Sequence, residues 1–240
     1  MAMDGQTVLA VVPARGGSKS IPRKNLAMVG GISLVGRAGQ LAAGLDWIDR
    51  AIISTNDVEI AAEATRHGLE APFQRPDDLA GDKATSTDMW RHAWLAAEEH
   101  YAMSFDISVL LEPTSPMRRA DDVTLCVRTL IDSGHKAAAT LSPTPAHFTP
   151  NKTLKLDGKG NLAPYLEDGR TALRQSIPDY YHCNGICYAL RRKTLVDEGH
   201  IMEDDCIAVI IDRPIVNIDE PFELELAEWL LARETNGRNS

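Results

Sequence analysis

The sequence predicts an α/β fold: a mostly parallel, doubly wound sheet with helices on both faces. Three observations lead there. Short apolar runs alternate with segments whose apolar residues recur at helical spacing, and the first such run ends in a glycine-rich, basic loop. The third is size: 240 residues with 44% hydrophobic content can bury one substantial core, which fits a single domain over 1–240 better than two. Alternation of this kind implies parallel strands joined by covering helices, with ligands gathered at the carboxyl ends of the strands.

The first strand is Val8-Leu9-Ala10-Val11-Val12, ended by Pro13, which cannot donate to a sheet ladder. In the loop that follows, Gly16 and Gly17 allow close backbone approach or positive φ, so that successive N–H groups, with Ser18, can form a concave anion site. Arg15, Lys19, Arg23 and Lys24 ring that concavity with positive charge. Backbone donors beside a basic ring suit a nucleoside triphosphate, whose oxygens accept several hydrogen bonds at once. The spacing is neither that of a Walker A loop nor that of a dinucleotide-binding G-x-G-x-x-G.

Leu34, Val35, Ala38, Leu41, Ala42 and Leu45 then fall on one helical stripe, with Ser33 at its start. Ala51 to Ser54 is a short strand, Asn56 reads as an ordinary turn, and Asp57 opens an alanine-rich helix to about His67. A polar connection from Arg75 to Ser86 precedes a helix from about Thr87 to Tyr101, for which Ser86 and Thr87 read as caps and Arg75 as a surface cation. Ile107 to Leu111 is a strand that runs into Glu112-Pro113-Thr114-Ser115-Pro116-Met117-Arg118, where two prolines fix an extended turn at the ligand edge of the sheet.

A helix from about Asp121 to Ser133 leads to the strand Ala137 to Leu141. Between about 142 and 181 the rhythm breaks into hairpin and loop material around Gly158 and Gly160 without periodic apolar faces. Asn184 to Leu190 and Cys206 to Ile211 are further strands. Ile215 to Ile218 reads as a strand end that opens the last helix, for which Asp219 is a candidate N-cap.

The net charge of −9 argues against a nucleic-acid or anionic-membrane partner. Positive charge is nonetheless focused: residues 1–40 hold five Lys or Arg against one acid, +4, leaving −13 on the rest. No run approaches a membrane span, and the first residues lack the features of a secretion signal, which predicts a cytoplasmic protein. The four cysteines, 126, 183, 187 and 206, form no C-x-x-C pair and read as reduced, mostly packed thiols.

The stretch Pro13 to Asn25, Pro-Ala-Arg-Gly-Gly-Ser-Lys-Ser-Ile-Pro-Arg-Lys-Asn, resembles the signature of the acylneuraminate cytidylyltransferases. The resemblance recurs at Arg75-Pro76, Asp82-Lys83-Ala84-Thr85-Ser86, Pro113 to Pro116 with Arg118, Asn184-Gly185 and Ile218-Asp219, and so covers nearly the whole chain. It implies a Rossmann-like sheet of the nucleotide-diphospho-sugar transferase type. The segment 142–181 would be an inserted dimerisation arm reaching a partner's site, making the protein a homodimer. The partners implied are CTP and a small acidic sugar of the nonulosonic, sialic type, coupled with release of pyrophosphate.

By the same resemblance, Arg15, Lys19 and Lys24 would neutralise the triphosphate during transfer. Gly16, Gly17, Ser18, Asn25, Arg75, Asp82, Ala84 and Ser86 would complete the nucleotide site, with Arg75, Ala84 and Ser86 around cytosine and ribose. Glu112, Thr114, Ser115, Lys152, Arg174, His182, Asn184 and Tyr188 would meet the sugar, and Asp219 would hold Mg²⁺. Four positions depart from the family pattern. Asn56 stands where an aspartate is more frequent, Glu112 replaces a usual glutamine, His182 a frequent arginine, and Asn217 the first acid of an Asp-x-Asp. The alternatives are a same-fold enzyme using another acceptor (an aminated sugar acid, 3-deoxy-octulosonate or a phosphonate) or GTP, and a nucleotide-binding relative without catalysis. No convincing general base is visible.

Overall fold

The computed structural model describes residues 3–18, 20–166, 177–202 and 205–237. Lys19 and Arg174 therefore lie outside the described residues. Strand β1 (Val8–Pro13) leads through the basic loop and a small hairpin, β2 (Met28–Val29) and β3 (Ile32–Ser33), to helix α1 (Leu34–Ala43). There follow β4 (Arg50–Ser54), α2 (Val58–Arg66), α3 (Ser86–Tyr101), β5 (Ile107–Leu110), α4 (Ala120–Ser133) and β6 (Ala137–Pro143). The hairpin β7 (Leu154–Leu156) and β8 (Leu162–Pro164), then β9 (Tyr181–Arg191), β10 (Cys206–Ile210) and α5 (Pro221–Gly237) complete the chain.

The main sheet has six strands in the order β10-β6-β9-β5-β1-β4. Its pairs are parallel except those of β9, which runs antiparallel to both β5 and β6. The mostly parallel α/β expectation therefore holds. The two faces are readable in β1 alone. Val8, Ala10 and Val12 enter a core with α1, α2 and α4, whereas Leu9 and Val11 enter a second core with Trp90, Trp94 and the buried face of α3. That is the period-2 alternation of a strand covered on both sides. A third cluster packs α5 on β2 and on Ile21, Val216 and Ile218.

Helix starts follow side-chain chemistry. Ser33 accepts from Gly36 N at 3.1 Å, and Asp57 accepts from Glu59 N and Ile60 N at 2.8 and 3.1 Å, as the sequence predicts. At α3 the cap is Thr85, not Ser86 or Thr87: Asp88 N donates to Thr85 Oγ1 at 3.0 Å, and that hydroxyl donates to Asp88 Oδ2 at 2.6 Å. Ser86 is thereby the first residue of the helix. Ile215 to Ile218 is extended but joins no sheet, a correction to the strand expected there. It runs as a strap, tied through Ile218 N to Thr114 O at 2.8 Å.

Strands β6 and β9 also extend into the segment expected as insertion, since Ser142 pairs with His182 and Pro143 with Tyr181. Beyond them, β7 and β8 do carry a periodic face: Leu154, Leu156 and Leu162 are exposed on one side of the hairpin, with Leu156 opposite Leu162. Among the described residues no helix is long and apolar enough to cross a membrane. The four cysteines are free, Cys126 and Cys187 fully buried and Cys183 exposed.

Candidate active site

The strand order reverses at β1. The chain passes from β1 through α1 to β4 on one side, then through α3 to β5 on the other. A crevice opens at such a switch point beyond the carboxyl ends of the strands. Here it is a cleft of about 590 Å³ lined by Arg15, Ser18, Lys24 and Asn25 from the basic loop and Arg75, Asp82, Ala84 and Ser86 from the polar connection. Glu112 and Thr114 from the loop after β5, and Asn217 and Asp219 from the strap, close it. A smaller cavity of about 330 Å³ adjoins it, lined by Tyr188, Thr87, Ile201 and Met202 and sharing Ser86, Leu110 and Glu112.

The described cations of the loop are already paired. Arg15 Nη1 lies 3.2 Å from Asp82 Oδ1, and Lys24 Nζ donates to Asp219 Oδ1 and to Ile218 O, both at 3.0 Å. Arg23 turns away to Glu59 at 2.6 Å, so it does not join the ring expected for it. Neither glycine uses positive φ; Gly16 is needed because a Cβ there would stand 2.8 Å from Asp57 Oδ2. Its N–H is engaged by Asn56 Oδ1 at 3.2 Å, and Asn56 Nδ2 in turn donates to Asp77 at 3.1 Å. Asn56 is thus a brace between the loop and the polar connection, beyond the turn residue the sequence indicates.

Arg75 is not the surface cation its isolated chemistry indicates. It is 5% exposed, and its guanidinium donates to Ser54 Oγ at 3.0 Å and to Ser54 O at the end of β4. Burial, with Arg15 nearby, lowers its pKa to about 10.

The loop after β5 is held by Arg118, to which the sequence assigned no role. Its buried guanidinium donates to Ile186 O at 2.5 Å, Glu112 O at 2.6 Å and Gly185 O at 2.9 Å. Ser115 and Asn184, both expected at the sugar, are buried framework instead. Ser115 Oγ donates to Asn184 O at 2.8 Å, and Asn184 Nδ2 donates to Ser142 Oγ at 3.1 Å while its Oδ1 accepts from Ile186 N at 3.1 Å. This follows from a register shift between Ala139 and Leu141, opposite which Gly185 adopts φ +68°. Lys152 and His182 are exposed and do not line either cavity; His182 Nδ1 lies 3.1 Å from Thr144 Oγ1.

Glu112 stands at the junction of the two cavities. Burial, and then the Asp219 carboxylate, push its carboxyl above the usual range, against the pull of Arg118 and Lys24. Burial likewise raises the Tyr188 phenol, with Glu112 adding to it. Asp219 does not cap α5: Glu223 Oε2 does, accepting from Asp219 N at 2.5 Å and Glu220 N at 2.8 Å. Asp219 and Asn217 both line the cleft, and carboxylate and amide oxygens are the donors that a hard cation such as Mg²⁺ takes.

The architecture is that of an α/β nucleotidyltransferase. Over 95% of this chain and 99% of the other, the fold matches a solved structure described as CMP:2-keto-3-deoxy-manno-octonic acid synthetase complexed with CTP, with a TM-score of 0.71 and 18% identity. Residues 9–193 match the family described as cytidylyltransferase, and the chain belongs to that family. It is 26% identical over 238 residues to the CMP-N,N'-diacetyllegionaminic acid synthase of Legionella pneumophila, covering 93% of this chain and 96% of that one. It is also 27% identical over 221 residues to the N-acylneuraminate cytidylyltransferase of Escherichia coli, covering 92% of this chain and 51% of that enzyme.

Proposed function

We propose that the protein transfers the cytidylyl group of CTP to the anomeric hydroxyl of a nonulosonic, sialic-type acid, giving the CMP-sugar and pyrophosphate. The observation that carries this reading is the junction of two cavities: a larger, charged cleft for the triphosphate and a smaller one, walled by Tyr188, from which an acceptor hydroxyl reaches the α-phosphorus. Attack in line forms the new P–O bond as the bond to pyrophosphate breaks. Arg15 and Lys24, with Lys19, neutralise the phosphates and the developing charge, a form of electrostatic preorganisation. Ser18 and Asn25 shape the loop, and Arg75, Asp82, Ala84 and Ser86 form the base and ribose side.

Asp219 and the oxygens beside it would hold Mg²⁺, which when bound supplies charge neutralisation at the phosphates. A homodimer is part of the reading. An isolated two-stranded hairpin is marginal in water, and β7–β8 exposes Leu154, Leu156 and Leu162 on one face, a surface that a second copy would cover. Lys152, Arg174 and His182 would then act at the partner's acceptor site.

Pyrophosphate release measured with CTP, GTP, UTP and ATP against a panel of nonulosonic and octulosonic acids tests the proposal. CTP with a nine-carbon acid is expected to give the highest rate. Preference for another nucleotide, or no turnover with any acceptor, would overturn it.

A further inference from the structure

The side of the cleft facing the basic loop carries a charge arrangement that nucleotide binding alone does not explain. Asp219 and Glu112 are carboxylates that line one cleft from two different segments, and the bond from Ile218 N to Thr114 O ties those segments together. Glu112 Oε2 lies 2.6 Å, and Asn217 Oδ1 3.6 Å, from where a Cβ on Gly185 would stand, so the glycine is what lets these oxygens converge. Ile218 is fully buried, and the alternation of an extended chain sends Asn217 and Asp219 together to the cleft. The cation that serves this wall is Lys24. Its Nζ is 3.0 Å from Asp219 Oδ1, its side chain is only 14% exposed, and its field also reaches Glu112.

Arg118 is the other cation near Glu112, but its guanidinium N–H groups go to main-chain carbonyls of residues 112, 185 and 186. Lys24 therefore has two competing destinations once a triphosphate enters, since phosphate oxygens attract the same ammonium. Moving it toward the phosphates would leave two carboxylates facing one another in a partly dry cleft, which is unfavourable unless another cation arrives. An all-oxygen set of two carboxylates and an amide carbonyl is what a hard divalent ion accepts.

We propose that Lys24 is a built-in stand-in for the divalent cation, and that Glu112 is the second carboxylate the cation engages beside Asp219 when nucleotide draws Lys24 away. This rests on the reading of the cleft as a CTP site and assigns to Glu112 a role in cation binding where the sequence points to sugar contact.

The experiment is a Mn²⁺ titration followed by electron paramagnetic resonance on the full chain, with and without CTP. Free wild-type protein is expected to bind Mn²⁺ weakly. Lys24→Met is expected to bind it at least about tenfold more tightly without nucleotide, because a positive charge a few ångströms from the ion is gone. Adding Glu112→Gln to Lys24→Met should remove that gain. Glu112→Gln alone, which keeps shape and does not depend on the other variant folding, should weaken Mn²⁺ in the CTP complex about tenfold. No gain in Lys24→Met, or an unchanged affinity on Glu112→Gln in either background, overturns the inference. If that happens while wild type turns over CTP, the transferase reading stands without it; if the Mn²⁺ pattern holds but no acceptor supports turnover, the cation exchange stands and the transferase reading falls.

Discussion

Arg118→Met tests the claim that a buried arginine, and not the two prolines, fixes the loop that carries Glu112 and Thr114. The guanidinium donates to main-chain carbonyls of residues 112, 185 and 186, and methionine fills much of the same volume without donors. Each buried acceptor left unpaired costs about 1–3 kcal/mol, while removal of a charge kept out of water returns part of that. Glu112 O keeps a second donor, Ser115 N at 3.2 Å, so the carbonyls of 185 and 186 bear the loss. Burial lowers the Arg118 pKa to about 10, in keeping with a desolvation cost. The net loss should therefore sit near the low end of the sum for two acceptors, about 2 kcal/mol. For a chain of this size that is a fall in Tm of about 4–8 °C.

The assay is thermal unfolding followed by circular dichroism, with the urea midpoint as a check that does not depend on reversibility of the melt. Arg118→Lys should fall between the two, because one ammonium cannot reach carbonyls on both the loop and β9 in the guanidinium's planar geometry. CTP turnover should drop in Arg118→Met even below its melting transition, since the loop loses its tie to β9. A Met variant melting within about 2 °C of wild type would refute the reasoning, and would mean that the prolines hold the loop unaided.

Gly16→Ala should weaken CTP binding by calorimetry and cost about 1 kcal/mol in a melt, because the new Cβ would meet Asp57 Oδ2 at 2.8 Å and disturb the cap of α2. Glu112→Gln should raise the Tm of the metal-free protein at neutral pH. Its folded pKa is raised, so the fold favours the protonated form; the wild type keeps its full stability below the ordinary carboxylate pKa and loses part as pH rises through the shifted value. The difference between the two proteins should therefore vanish at about pH 4 and below. Leu156→Asp should convert a wild-type dimer to monomer in sedimentation velocity at micromolar concentration; a monomeric wild type would remove the partner-site roles of Lys152, Arg174 and His182.

Much of this was legible in the sequence, and the misses share a cause. Ser33 and Asp57 announce their helices because a lone capping side chain precedes a clear apolar stripe. At α3, Thr85, Ser86 and Thr87 are chemically equivalent caps, and only Asp88, three residues beyond Thr85, selects among them. Arg75 reads as a surface cation and Arg118 takes no role, because nothing local tells otherwise. Their carbonyl partners come from other strands, Ser54 in one case and residues about seventy positions away in the other. The direction of β9 was hidden for a related reason: a strand buried on both faces has the same apolar run whichever way it points. Ile215 to Ile218 has strand-like alternation, yet it crosses the end of the sheet instead of joining it.

The charges that line the cleft make nucleotide and metal binding interdependent. Arg15, Lys24 and Arg75 face Asp82, Glu112 and Asp219, so the described lining is formally neutral although the loop itself is basic. Arg15 and Lys24 must leave carboxylate partners to meet phosphate, and a bare triphosphate would then confront the carboxylates it exposed. A divalent ion removes that conflict, so CTP affinity should rise at least about tenfold when Mg²⁺ is added, and Mg²⁺ affinity should rise by the same factor with CTP, because coupling between two ligands is reciprocal. Calorimetric titration of CTP at several Mg²⁺ concentrations, corrected for the Mg²⁺–CTP complex formed in solution, measures it. Asp219→Asn should abolish most of the coupling while keeping the fold, since Glu223 and not Asp219 caps α5. Equal CTP affinity with and without metal would show that the basic loop suffices for the triphosphate and that the carboxylates serve some other purpose.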